Sequence, residues 1–221
     1  MGAAASSSTI VPEATDRDFD HVHRIPASVM VDSFKAGTQP GEVYELNMKT
    51  NPRGRITYAN DATTFPLKIK GGSRMLLEDR ETKKVHAFIY RGDGNQYQIY
   101  SLKPCHEGQE HSTNRQNPGQ QLYEWATIKQ VKDKKQCYQM ESRDYPKNPT
   151  VYTAQPTRSG NSLLVECGRL TCGMIKRGRN EDGSFSDPFW NIKIGPGIDP
   201  ALFLCFVAIV DELLMNGSSS R

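Results

Sequence analysis

From Tyr44 onward, apolar and polar residues alternate in short runs. Tyr44, Leu46 and Met48 interleave with Glu45, Asn47 and Lys49, which is the two-residue period of a half-buried strand. Similar segments follow at Ile56 to Ala59, Phe65 to Ile69, Met75 to Leu77, Val85 to Tyr90 and Gln96 to Leu102. The series continues through Leu122 to Val131, Gln136 to Glu141, Leu163 to Cys167, Leu170 to Lys176 and Trp190 to Ile194. The turns between them, NPRGR, KGGS, DRETKK, RGDGN, VKDKK and TRSGN, recur at hairpin spacing. They predict an antiparallel meander of about ten to twelve strands. Residues 104 to 120 and 178 to 188 are polar enough to be long exposed loops. No internal repeat stands out.

The pattern changes at the C-terminus. Asp199 stands where an N-cap belongs, Pro200 at the first helical position and Gly217 at a left-handed C-cap. Between them Ala201 to Val210 is apolar in every direction around a 3.6-residue period, so this helix has no face for water. A membrane is one possible surrounding. The apolar run, however, makes only about 15 Å of helix, roughly half a hydrocarbon core, before Asp211 and Glu212 interrupt it. Carrying those carboxylates into lipid is costly. Protein is the better enclosure, and a sheet closed on itself supplies apolar contacts on all sides while leaving no strand edge exposed. The expected fold is all-β with one central helix: a closed antiparallel barrel of about twelve strands around the buried C-terminal helix. Asp211 and Glu212 would reach the barrel mouth or pair with a base. The turn at Gly195-Pro196-Gly197 would feed the last strand into the helix.

With 221 residues the chain can bury a sizeable core. Residues 1 to 23 show no periodicity and are expected to form a flexible arm, residues 24 to 216 the domain, and 217 to 221 a short tail. The net charge of +3 gives no warrant for nucleic acid as the main partner. Its distribution is uneven, because Glu13, Asp16, Asp18 and Asp20 against Arg17 leave the first 20 residues at −3 and the remainder at +6. Five scattered cysteines without a secretory signal fit reduced thiols in the cytosol, where the Asn216-Gly217-Ser218 sequon would go unused.

The closing motif Ile194-Gly-Pro-Gly-Ile-Asp-Pro-Ala-Leu202 with its apolar helix, together with the hairpin MLLEDRETKKVHAFIYR and the strand NQYQIYSL, resembles the Tubby C-terminal-like superfamily. The LURP-one-related branch is the most similar, and Tubby and the phospholipid scramblases are more distant. The likeness covers roughly residues 24 to 216, and the insert at 104 to 120 departs from the compact family pattern. It implies a twelve-stranded barrel around a C-terminal helix, and binding of phosphoinositide headgroups through strand and loop Lys and Arg.

Met1-Gly2-Ala3-Ala4-Ala5-Ser6 fits the N-myristoylation pattern, in which the glycine amine is acylated after methionine removal. One myristoyl chain gives only marginal attachment, about 10⁴ M⁻¹, and no cysteine near Gly2 offers a second acyl site. An acidic arm is repelled by an anionic leaflet, so the +6 domain must supply the second signal. Three basic groups are candidates: Lys68, Lys70 and Arg74 around KGGS; Lys129, Lys132, Lys134 and Lys135 at a hairpin; and Lys176, Arg177 and Arg179. Any one of them also fits charges that keep a strand end soluble. Lys68 and Lys70 share one strand face beside two glycines, where backbone N–H groups could join the ammonium groups around a phosphate. These two with Arg74 are the candidate headgroup site.

Catalytic patterns are weak. Cys105-His106 with His111 matches no common zinc spacing, Cys167 and Cys172 suit buried thiols, and His21-Val-His23 is an isolated pair. There is no phosphate-binding loop, dinucleotide glycine pattern or nucleophile elbow. The expectation is a monomeric, non-enzymatic, myristoylated peripheral protein on a cytoplasmic membrane face, binding phospholipids, phosphoinositides among them, and a signalling partner. No cofactor, metal or nucleic acid is expected. Two alternatives stand beside it: scramblase-like translocation, which needs the C-terminal segment in the bilayer, and a soluble signalling or defence adaptor.

Overall fold

A computed structural model describes residues 29–31, 44–51, 56–60, 67–70, 74–79, 82–93, 96–112, 119–132, 134, 136–144, 149–158, 160, 162–178 and 189–218; for 44–51, 56–60, 67–70, 177–178, 189 and 215–218 the description is of the backbone. The elements are β1 (Tyr44–Asn51), β2 (Ile56–Asn60), β3 (Leu67–Lys70), β4 (Arg74–Asp79), β5 (Val85–Arg91), β6 (Gln96–Ser101), β7 (Tyr123–Gln130), β8 (Tyr138–Ser142), β9 (Thr150–Pro156), β10 (Ser162–Cys167), β11 (Leu170–Gly178), β12 (Phe189–Ile194) and α1 (Pro200–Ser218). The expected strand-rich chain with one C-terminal helix is present. β9 is the strand that the sequence reading leaves out. The helix is assigned to Ser218, one residue beyond Gly217, a difference within the usual ambiguity of a helix end.

β4 to β12 make one antiparallel sheet of nine strands in chain order. β1, β2 and β3 pair in chain order too, with β3 beside β4 and β1 beside β12. One sheet face is apolar because alternate residues of each strand share it: Leu77, Ala87, Ile89, Ile99, Ala126, Ile128, Met140, Ala154, Val165 and Ile192 are all buried in one cluster with α1. From Ala201 to Asp211 the helix is buried at every position, as its unbroken apolar run requires. Phe203 and Phe206 meet edge to face with ring centroids 5.9 Å apart. No helix among the described residues is long and apolar enough to cross a membrane.

β5 is buried on both faces. Ala87 and Ile89 belong to the α1 cluster, while Phe88 and Tyr90 join Tyr100 and Leu122 in a second cluster, with Leu76 and Val85 against it. The connection from β6 to β7 accounts for part of this, since Ser112 bridges back to Leu122. That connection also corrects the expectation of a wholly exposed loop from 104 to 120. Cys105 is buried, and Gln109 donates to the Glu124 carbonyl at 2.7 Å, tying the loop to β7. Residues 113–118 lie outside the described ones.

Strand alternation assigns every connection to one of two ends. Successive antiparallel strands reverse direction, so turns after odd-numbered strands share one end and those after even-numbered strands the other. α1 starts after β12, at the even end, and runs back; we call its starting end proximal and the other distal. Gly197, at φ 86, makes the reversal from β12 into the helix, a conformation that favours glycine. Asp199 caps the first turn as its position implies: Oδ1 accepts from Ala201 N at 2.8 Å and Leu202 N at 3.4 Å.

Candidate functional site

At the distal end, Lys70 closes β3 and Arg74 opens β4, with Arg74 exposed. Register sets Lys68 opposite Tyr58 and Glu78, and sets Ile69 opposite the buried core residue Leu77. Lys68 and Lys70 therefore occupy the alternate strand positions to a core-facing one. Residues 71–73 of KGGS, and Gly2, lie outside the described residues, as do His21 and His23.

The same end gathers the other two basic groups. Lys129 pairs with Gln96 at the start of β6, and the turn that follows carries exposed Lys132 and Lys134, closed by Val131 N donating to the Cys137 carbonyl at 2.8 Å. Gln136, at φ 56, takes the left-handed position of that turn. Lys176 is exposed opposite Ser162; Arg177 is described by its backbone pairing with Trp190, and Lys135 and Arg179 lie outside the described residues. Members of all three groups, scattered over a hundred residues of sequence, thus share one end of the sheet, Lys68 alone lying toward the other end of β3.

Two arginines that the sequence reading passed over join them. Arg91 ends β5 and Arg158 lies in the turn between β9 and β10, both exposed. The sequence does carry the signal, as each is the basic residue of a recognised turn, RGDGN and TRSGN. Arg91 stacks over the Tyr97 ring at 6.0 Å from its centroid. Tyr97 in turn donates its hydroxyl to Glu212 at 3.3 Å. Burial, and then the Glu212 charge, push that phenol up to about 12. Asp211 accepts from the Trp190 indole N–H at 2.8 Å. The two carboxylates near the helix C-terminus are therefore held by aromatic donors of the sheet, and Glu212 is half-buried.

The proximal end differs in chemistry. A buried strap, Val29 to Val31, crosses the start of α1, and Asp199 holds it: Oδ2 accepts from Met30 N at 2.6 Å. Lys103 Nζ donates to the Val29 carbonyl at 3.0 Å on the other side. Burial raises the Asp199 carboxyl to about 6, against the opposing pull of the three backbone N–H groups and of Lys103. Beside the strap lies a partly open cavity of about 270 Å³, lined by Met30, Val31, Lys84, His86, Leu102 and Lys103 among others. Acidic side chains are frequent at this end, including Asp79, Glu124, Glu141, Asp144 and Glu166, and Arg143 bridges Glu141 at 3.0 Å.

Cys105 shows no nucleophilic environment. Its thiol donates to the Arg143 carbonyl at 3.1 Å, and burial and the nearby Asp144 push it up to about 12, so it is protonated at neutral pH. The His106 ring lies 2.9 Å from the Glu107 carbonyl. Among the described residues no group of three His, Cys, Asp or Glu is placed to hold a metal ion. Compared with protein-family models, curated proteins and solved structures, the chain matches none.

Proposed function

We propose that the protein is a non-enzymatic, N-myristoylated peripheral membrane protein of Tubby-like type, acting on a cytoplasmic membrane face by binding phospholipid headgroups, phosphoinositides among them, and a signalling partner. In this reading the strands close as a twelve-stranded barrel around α1. The pairing of β1 with β12 on one side and β2 on the other supports closure, as does a helix buried at every position from Ala201 to Asp211. The observation that carries the function is the gathering of members of all three basic groups at one end, because a single myristoyl chain needs a second, electrostatic signal.

The arm can serve both signals at once. Met30 is fixed at the proximal end, and the chain between Gly2 and Met30 can extend to at most about 100 Å. The strands, at about 3.3 Å per residue, make the sheet only about 25 Å from end to end. An acyl chain on Gly2 can therefore reach the bilayer that the distal end touches.

The test is fractionation of cells expressing wild type and Gly2→Ala, with a clickable myristate analogue reporting acylation. Wild type should carry label and pellet with membranes, and Gly2→Ala should carry none and shift to the soluble fraction. Label-free wild type, or a variant that pellets unchanged, would contradict the proposed role of Gly2.

A further inference from the structure

We infer that the distal end, with Arg91, Lys129, Lys132, Lys134, Arg158 and Lys176, docks as one surface on an anionic bilayer and reads its charge density, not the stereochemistry of one headgroup. The inference rests on the lipid-binding reading above and narrows it to a surface and a mode.

Spacing carries the argument. All six cations are exposed and lie on, or in the turns of, β5 to β11. Adjacent strands stand about 4.8 Å apart, so these residues spread over about 29 Å measured along the sheet, which on the twelve-strand ring proposed above sets the first and last roughly 20 Å apart. A single inositol phosphate ring, under about 10 Å across, can touch the tips of two hairpins at most. A lipid surface can touch them all. Four of the six are lysines, compact charges on flexible stems that suit a field of phosphates better than a fixed bidentate fit. Asp93 is the acidic side chain exposed among the described residues of these turns, and Asp211 and Glu212 are occupied by Trp190 and Tyr97.

The rest of the molecule agrees with this choice. The cavity lies at the proximal end, away from these cations, and at that end the exposed Lys83, Lys84 and Arg169 stand among the half-buried acidic side chains named above, so its charge is mixed. Single-stranded nucleic acid wants stacking platforms among its cations. Among the described residues the exposed large hydrophobic is Leu102, which follows β6 at the proximal end. Of the candidate group, Arg74, exposed where β4 opens at this end, then contributes one edge of a wider field, while Lys68 sits opposite Glu78 toward the proximal end of β3.

The test uses the full chain made without acylation, and vesicle co-sedimentation at two salt concentrations. Vesicles are phosphatidylcholine alone, or phosphatidylcholine with phosphatidylserine or with phosphatidylinositol bisphosphate at matched surface charge. Two triple variants remove equal charge at opposite ends: K129Q/K132Q/K134Q distally and K83Q/K84Q/R169Q proximally, each checked for folding by circular dichroism. Wild type should bind the two anionic vesicles within about threefold of each other and ignore the neutral one. At about fivefold per cation near a lipid surface, the distal variant should lose about 100-fold and the proximal variant little. A tenfold or greater preference for the phosphoinositide at matched charge, or equal losses in both variants, would overturn the inference while leaving lipid binding intact. Tighter binding to duplex DNA than to either anionic vesicle would replace the bilayer with nucleic acid. Wild type that binds no vesicle would remove the lipid-binding reading itself, and this inference with it.

Discussion

Replacing Asp199 by asparagine removes its titration, so the pH dependence of the stability difference isolates what burying that carboxyl does. The side chain is buried and uses both oxygens, Oδ1 for Ala201 and Leu202 and Oδ2 for Met30, so an asparagine keeps the helix cap with its one amide oxygen, turns its NH2 toward the Met30 N–H and removes the ionisable group. The carboxyl lies at about 6 in the folded protein against an ordinary 3.8, chiefly through burial. A raised acid binds its proton more tightly folded than unfolded, so its contribution to stability increases as pH falls through about 6 and levels off below the unfolded value. The whole effect is about 3 kcal/mol, of which about 1.4 kcal/mol is developed by pH 5. The amide of Asp199→Asn cannot titrate. Urea unfolding followed by the fluorescence of Trp125 and Trp190 at several pH values gives the difference between the two proteins, and carboxylates common to both cancel. Wild type should gain on the variant by about 1.4 kcal/mol between about pH 7.5 and pH 5. A difference that stays flat, or that moves in favour of the variant on acidification, would refute the account of Asp199 as a buried carboxylate clamping the strap to the helix. Asp199→Asn should carry a pH-independent cost for the Met30 N–H left facing an NH2, and Asp199→Ala, which loses the cap as well, should destabilise at every pH by about 2–4 kcal/mol.

Three further outcomes follow from the packing around α1. A Cβ at Gly173 would stand 2.8 Å from Phe203 Cζ and 3.0 Å from the Lys193 carbonyl, so Gly173→Ala should cost about 1–3 kcal/mol despite its stiffer unfolded chain, lowering the melting temperature by about 3 °C per kcal/mol; an unchanged or raised value would contradict the close approach of β11 and helix. Trp190→Phe removes a buried donor to Asp211 and should cost about 1–3 kcal/mol in chemical denaturation, while Tyr97→Phe, facing the half-buried Glu212, should cost less; the reverse order would place the buried anchor at the wrong carboxylate. Under native conditions a thiol reagent should label Cys167 first, because Cys105, Cys137, Cys172 and Cys205 are buried; fast labelling that survives Cys167→Ser would count against that burial.

Much of the architecture is legible in local pattern. The helix shows it best, since Asp199 and Pro200 mark its start and an apolar run without a polar face dictates burial whatever surrounds it. Eleven strands follow from alternation and their turns. β9 is equally regular once seen, with Tyr152 and Ala154 buried between half-buried neighbours, but it sits between proline-containing stretches that mask a short strand. β5 is harder to interpret, because VHAFIYR is apolar for two reasons at once: one set of residues faces α1, the other a second cluster. No periodicity distinguishes these cases.

The candidate site divides in the same way. Each basic turn can be recognised by itself, and each by itself is an ordinary solvated hairpin. Their common end is a property of strand order, which only the topology supplies. The strap is less legible still. Val29, Met30 and Val31 form a short apolar triplet, and nothing near them in the chain announces a partner at Asp199, 169 residues away. Cys105 misleads in the opposite direction: its polar surroundings suggest an exposed loop, while two hydrogen bonds of the Gln109 side chain and one to the Arg143 carbonyl draw it inside.

The most direct measurement of the central claim is binding of the full chain, made without acylation, to neutral vesicles and to vesicles containing anionic lipids, at low and at physiological salt. The account predicts adherence to the anionic vesicles alone, weakened by salt but still present at physiological strength, because the folded domain is itself a membrane signal. Failure to adhere even at low salt would contradict it, leaving any acyl group on Gly2 as a weak tether and the basic end without a membrane role.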